Sequence, residues 1–179
     1  IFISAVVLLI PSTSIAQTIY VDVSATGAEN GTSWTDAYTS LQDAIAAAGS
    51  SDEIWIAEGV YYPDEGANAT SGDSEASFTI DGSQNGLKIY GGFESGDDFD
   101  DRRPNANPVV LSGDIDENDE NKTPSGATPT ADDIVGDNSN HVLIFDSGDG
   151  IRDNVDENIT STTILDGVTV SGGEAEFVS

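Results

Sequence analysis

The chain has no cysteine, one histidine and only five lysine and arginine residues among its 179 residues. Without cysteine it can form neither disulfides nor thiolate metal sites, and it has no cysteine nucleophile. A single histidine excludes a zinc site built on several imidazoles. Against the five basic residues stand 33 acidic ones, which give a formal net charge of −28. Because this charge repels phosphate backbones and anionic lipid surfaces, the composition argues against nucleic acid and membranes as partners.

The N-terminal residues resemble the end of a secretory signal peptide. Residues 1–10 are almost wholly apolar, Pro11 ends the run, and Ser14 and Ala16 are small residues at the −3 and −1 positions of a cleavage site. The run is too short to span a bilayer. We therefore predict a signal peptide over residues 1–16, truncated at its N-terminus, and a secreted or cell-surface protein with no membrane insertion after cleavage.

The mature chain, residues 17–179, is long enough for one domain with one core. Its apolar residues predict one amphipathic helix near residues 36–48, for which Ser33 and Asp36 offer a capping signal and Gly49 a stop. The rest consists of short apolar runs bounded by Gly, Asn, Asp, Ser or Pro, which predict strands. These strands are expected at residues 18–23, 53–57, 60–62, 77–80, 87–90, 109–111, 141–145, 163–165 and 168–170.

Some of these strands recur at a rough interval. Ile56 and Phe78, like Leu143 and Leu165, lie about 20 residues apart, which is typical of repeat architectures. Several strands end in a similar Gly or Asp corner. Short strands with tight corners favour a solenoid, in which each coil buries its inward residues by stacking on its neighbours. A polar acidic insertion near residues 115–139 lengthens the chain between two of the predicted strands and breaks this spacing.

Most of the mature chain resembles the N-terminal region of secreted bacterial right-handed parallel β-helix proteins of the pectate-lyase-like superfamily. The matching stretches are residues 19–22 (IYVD), 31–34 (GTSW), 41–45 (LQDAI), 54–63 (IWIAEGVYYP), 90–93 (YGGF), 110–116 (VLSGDID) and 165–173 (LDGVTVSGG). The resemblance implies an all-β fold, a right-handed parallel β-helix with one short capping α-helix at its N-terminal end. Residues 17–179 would then be the N-terminal part of such a domain.

The same resemblance implies, for some relatives, lyase chemistry with carboxylates that hold Ca²⁺ and an arginine or lysine as base. The segment Arg102-Arg103-Pro104 matches part of an Arg-x-Pro-x-x-Arg motif, but Asn107 occupies the final position. Both arginines follow a run of aspartates. The simpler interpretation of the two arginines is that they neutralise these neighbouring negative charges. His141 is interpreted as a strand-edge residue, and Trp34 and Trp55 as core or cap residues rather than as stacking platforms for a ligand.

The acidic stretch after residue 112 carries the best candidate metal ligands. Asp114, Asp116 and Asn118 form an Asp-x-Asp-x-Asn pattern, and hard oxygen ligands at this spacing can converge on Ca²⁺. We take Asp114, Asp116, Asn118 and Glu120 as candidate ligands. An EF-hand is rejected, because Asp119 occupies the position of its glycine and Ser125 that of its bidentate glutamate. Two interpretations remain open, a looser Ca²⁺ loop and a solvated acidic loop.

Two functions of different class follow from these observations. The first is a non-catalytic secreted or cell-surface module that binds polysaccharide or a cell-surface glycan, or serves in adhesion. The second is a Ca²⁺-dependent polysaccharide lyase or a glycoside hydrolase. Scarce basic residues and strong acidity favour the first, because an acidic sugar polymer would be repelled without bridging Ca²⁺. The sequence assigns no catalytic residue and leaves the oligomeric state open.

Overall fold

The computed structural model describes residues 15–146 and 159–174. These residues contain one α-helix and nine short strands. In chain order the elements are β1 (Thr18–Val21), α1 (Leu41–Ala47), β2 (Glu53–Ala57), β3 (Gly59–Tyr61), β4 (Phe78–Ile80), β5 (Lys88–Phe93), β6 (Val109–Ser112), β7 (Leu143–Phe145), β8 (Ile164–Asp166) and β9 (Val168–Ser171). Residues 1–14 of the expected signal peptide, and Arg152, lie outside the described residues.

The strands form three small sheets in which every described pair is parallel. The first sheet has the order β1-β2-β5-β8, the second β3-β6-β9, and the third contains only β4 and β7. From β2 onwards, each strand is followed by a strand of a different sheet. Neighbours within a sheet are therefore joined by long excursions of the chain, as parallel pairing requires.

The core is built from rows of apolar side chains at matching register. Ile19, Ile54 and Ile89 lie side by side on β1, β2 and β5, and all three are buried. Leu165 continues the row on β8 and is partly buried. Branched aliphatic side chains suit this packing, and full burial of each contributes roughly 1.5–3 kcal/mol.

Helix α1 covers part of this core. The side chain of Ser40 caps it by accepting hydrogen bonds from the backbone N–H groups of Gln42 and Asp43, which satisfies two of the unpaired donors at a helix start. Leu41 and Ile45 lie on its buried face, and the helix packs against β1 and β4. It begins five residues later than the sequence predicts.

The predicted β-helix is wrong. The strands form three separate small sheets, and the described residues show neither a solenoid nor a closed sheet. The apolar runs correctly predict strands, but they carry no information on how the sheets relate to one another. The connections are too unequal for a regular coil, since residues 62–77 join β3 to β4 whereas residues 113–142 join β6 to β7.

Candidate functional site

The acidic loop, residues 113–122, begins directly after β6 and turns around the fully buried side chain of Asp114. Asp114 Oδ1 accepts hydrogen bonds from the backbone N–H groups of Asn118 (2.9 Å) and Asp119 (3.2 Å). Its Oδ2 forms an ion pair with Lys122 Nζ. The charge of Asp114 is therefore compensated within the loop, and its oxygens hold the turn together.

The other three candidate ligands are exposed. Asn118 Nδ2 donates to Asp116 Oδ2 at 2.7 Å, and the same oxygen accepts the backbone N–H of Asp137 at 3.3 Å. Glu120 donates its backbone N–H to the carbonyl of Asp133 at 2.8 Å. The loop thus brings Asp114, Asp116 and Asn118 into one turn, but Asp114 faces inward.

A Ca²⁺ site formed by Asp114, Asp116, Asn118 and Glu120 stays a prediction. Within residues 15–146 and 159–174, no group of three or more carboxylate or imidazole side chains is placed to hold a metal ion. The hydrogen bonds inside the loop are those of a self-supporting turn, and they occupy oxygens that a cation would need.

Asp119 is the structural carboxylate that the sequence interpretation missed. Its oxygens accept hydrogen bonds from the backbone N–H of Val135 (2.8 Å) and from Thr128 Oγ1 (2.6 Å). Asn138 Nδ2 lies 3.3 Å from both oxygens and also donates to the carbonyl of Gly172 at 2.7 Å. Asp119 therefore links the beginning of segment 113–142 to the part of that segment that contains its three partners. These partners lie nine or more residues away, so no local motif could have revealed them.

Tyr62 lies directly after β3, and the pKa of its phenol responds to the negative charge around the acidic loop. Burial, followed by the charges of Glu117 and Asp114 and of the neighbouring Asp64 and Glu65, raises the pKa of Tyr62 from 10.0 to about 12. The phenol therefore keeps its proton in the folded protein at a pH at which it releases the proton in the unfolded chain.

We expect stability to fall as the pH rises from 10 to about 12, because the unfolded state then binds fewer protons than the folded state. Urea unfolding across this pH range measures the loss. The Tyr62→Phe variant should lose less stability than the wild type, although Tyr61, whose pKa burial also raises, remains in both proteins. Equal losses in the two proteins would contradict the assignment.

The first sheet carries a row of aromatic side chains on the side opposite its buried isoleucines. Tyr20, Trp55 and Tyr90 lie at matching register on β1, β2 and β5, and each is half-buried. Because successive side chains of a strand point to opposite faces, this row alternates with the core row of Ile19 and its neighbours. The aromatic row is therefore the outer surface of the sheet.

A β-bulge adds a further ring to this surface. Ile56 pairs with Gly91 and Ala57 pairs with Phe93, so Gly92 is an extra residue in β5. Its φ of +105° favours glycine, and a Cβ there would lie 2.7 Å from Pro104 Cα. A bulge can re-aim the following side chain. Phe93 stacks on Trp55 with ring centroids 5.0 Å apart and an interplanar angle of 5°.

Two residues outside the strands complete what we call the aromatic face. Trp34 contacts the rings of Tyr20 (4.8 Å) and Phe93 (5.6 Å), and its Nε1 donates to the carbonyl of Asp97 at 2.9 Å. Phe99 lies against Trp55 (5.5 Å) and Tyr90 (5.0 Å) and is 41% exposed. The aromatic face comprises Tyr20, Trp34, Trp55, Tyr90, Phe93 and Phe99. Both tryptophans pack against other rings but are only half-buried, while Phe99 presents its ring to solvent.

Arg102 borders the aromatic face; its Nε and Nη1 have partners, whereas its Nη2 is buried without a hydrogen-bond partner among the described residues. Its Nε donates to the carbonyl of Gly91 at 2.5 Å, and its Nη1 forms a 2.7 Å ion pair with Asp166 on β8. The guanidinium carbon lies 5.4 Å from the ring centroid of Tyr90, which is within cation–π range. The ion-pair partner of Arg102 is therefore Asp166, and not one of the aspartates that directly precede it as the local charge balance predicted from the sequence would require. His141 is exposed and precedes β7.

Comparisons with protein-family models, curated proteins and solved structures found no match to the chain, so none supports the resemblance to the pectate-lyase-like superfamily. Among the described residues, no helix is long and apolar enough to cross a bilayer.

Proposed function

We propose that this chain is a non-catalytic secreted or cell-surface module that binds neutral polysaccharide on its aromatic face. The observation that carries the proposal is one surface on which Phe99, 41% exposed, lies against the half-buried rings of Trp55 and Tyr90. Aromatic side chains supply large, rigid contact area, and sugar rings have an apolar C–H face that matches it.

Polar groups beside the rings suit the hydroxyls of a sugar. Phe99 lies within an acidic segment, and carboxylates there can accept hydrogen bonds from hydroxyl groups. The neighbouring acidic residues are Glu94, Asp97, Asp98, Asp100 and Asp101. The formal net charge of −28 repels uronate polymers, which favours a neutral glycan.

Two of the basic side chains next to the aromatic face are engaged in ion pairs. Lys88 forms a 2.9 Å ion pair with Glu53, and Arg102 forms one with Asp166. A lyase needs a basic group held ready for the substrate. Arg103, whose backbone N–H donates to the carbonyl of Gly92, is exposed and forms no ion pair among the described residues. The alternative of a Ca²⁺-dependent lyase or a glycoside hydrolase is the less favoured proposal, because the formal net charge of −28 repels an acidic substrate.

Titration with soluble neutral polysaccharides, followed by intrinsic tryptophan fluorescence, tests the proposal. Phe99→Ala should weaken binding about two- to tenfold, the range expected for the loss of one aromatic contact. Phe145→Ala is the matched control, because Phe145 is 46% exposed but lies on the third sheet. It should bind like the wild type.

Three outcomes would contradict the proposal. They are the absence of binding to any neutral polysaccharide, equal weakening in the two variants, and tighter binding to polygalacturonate than to neutral glycans. Incubation of the same polymers with the protein and Ca²⁺, followed by assays for reducing ends and unsaturated products, tests the alternative. Turnover there would replace the binding proposal with an enzyme.

A further inference from the structure

Asp114 and Lys122, near the two ends of the acidic loop, are in contact without a hydrogen bond between them. Asp114 is fully buried, and its Oδ2 is in ion-pair contact with Lys122 Nζ. This oxygen nevertheless has no hydrogen-bond partner among the described residues. The ion pair of Lys88 with Glu53, by contrast, is also a hydrogen bond of 2.9 Å. The contact of Lys122 with Asp114 therefore differs from an ordinary ion pair.

The acidic loop holds both of these groups in place. The backbone N–H groups of Asn118 and Asp119 donate to Asp114 Oδ1, which fixes the orientation of the carboxyl group. Lys122 Nζ donates to the carbonyl of Glu117 at 3.0 Å, which keeps the amine beside that carboxyl group. Well-oriented groups within one molecule react as if one of them were present at roughly 10⁵–10⁸ M. Such proximity favours a condensation that does not occur between a free amine and a free carboxylic acid in water.

Burial of the two charges favours a neutral product. The side chain of Asp114 has no exposed surface, and that of Lys122 is 26% exposed. The cost of removing such charges from water can exceed their mutual attraction, above all when a buried oxygen lacks a hydrogen bond. An amide between the two side chains carries no charge. Its carbonyl oxygen, the former Oδ1 of Asp114, would still accept the two backbone hydrogen bonds.

We propose that Lys122 and Asp114 condense into an intramolecular amide that closes the acidic loop covalently. The ion pair is the reactant, and the ammonium passes one proton to Oδ2 to give a neutral amine and a carboxylic acid. Nζ then attacks Cγ, and the two backbone N–H groups stabilise the negative charge that develops on Oδ1. The Cγ–Oδ2 bond breaks as a second proton moves from Nζ to Oδ2, which leaves as water. The third proton stays on the amide nitrogen, so the step needs no other reactant.

The test is tryptic digestion of the whole chain after it has folded and then been denatured, followed by mass spectrometry. Trypsin cleaves after a lysine whose side chain is charged, so an amidated Lys122 stays uncleaved. The main product should be a fragment of residues 103–152 that is one water lighter than its sequence. Denaturation before digestion ensures that the resistance at Lys122 comes from the bond and not from the fold. Fragments at full mass would overturn the proposal.

Two variants locate the bond. Lys122→Arg keeps a cation beside Asp114, but a guanidinium does not lose its proton and cannot attack the carboxyl group. This variant should be cleaved after position 122 and give fragments at full mass. Lys88→Met, which removes the ion pair with Glu53, should still give the lighter fragment. Water loss that persists in Lys122→Arg, or that accompanies cleavage after Lys122 in the wild type, would indicate a succinimide at an aspartate and overturn the proposal.

Discussion

Replacing Phe93 with alanine is expected to lower the free energy of unfolding by about 3–5 kcal/mol. Phe93 is fully buried and contacts the rings of Trp34, Trp55 and Phe99. Its removal leaves a cavity among the other rings of the aromatic face and takes away the stacked partner of Trp55. Urea unfolding followed by fluorescence measures the loss.

Phe99→Ala is the matched control, because it makes the same chemical change at a position that is 41% exposed. It should cost clearly less, about 1–2 kcal/mol, because the ring is only partly buried against its neighbours. Similar losses at both positions would mean that the bulge at Gly92 does not bury Phe93 beneath the other rings.

Replacing Lys122 with methionine is expected to lower the free energy of unfolding by about 3 kcal/mol, since it leaves a buried charge uncompensated. Asp114 is fully buried, whereas the Lys122 side chain is 26% exposed and supplies the opposite charge. Chemical denaturation measures the effect.

A second substitution isolates the charge from the packing. Asp114→Asn in the Lys122→Met background removes the buried charge and keeps an oxygen for the backbone N–H groups of Asn118 and Asp119. The double variant should recover part of the lost stability. A double variant less stable than Lys122→Met alone would show that the ion pair is not what stabilises the acidic loop.

Local structure was predictable because it depends on local patterns. The run Glu53–Ala57 forms β2 as expected, with half-buried and buried residues alternating up to Ile56. The helix start was misplaced for a physical reason, since Asp36 accepts the backbone N–H of Ala28 and stabilises a loop, while Ser40 caps the helix. The arrangement of sheets was predicted wrongly, because short apolar runs fit separate parallel sheets as well as a solenoid.

The candidate sites depend on contacts that sequence patterns do not encode. Phe93 joins the aromatic face only because Gly92 adds a residue to β5. The Asp-x-Asp-x-Asn pattern predicts convergent ligands, but the ion pair with Lys122 commits Asp114 to the interior of the acidic loop. Nothing in the local sequence of Asp64 marks it as a buried carboxylate with an oxygen that has no hydrogen-bond partner among the described residues.

Binding of a neutral glycan at the aromatic face is tested most directly by the two indole N–H signals in a ¹H–¹⁵N spectrum. The chain has two tryptophans, Trp34 and Trp55, and both belong to the aromatic face. Titration with a neutral oligosaccharide should shift both signals in the wild type and in Phe145→Ala, and should shift them less at equal concentration in Phe99→Ala. Indole signals that stay unchanged while the oligosaccharide binds elsewhere, or that stay unchanged throughout, would contradict the account.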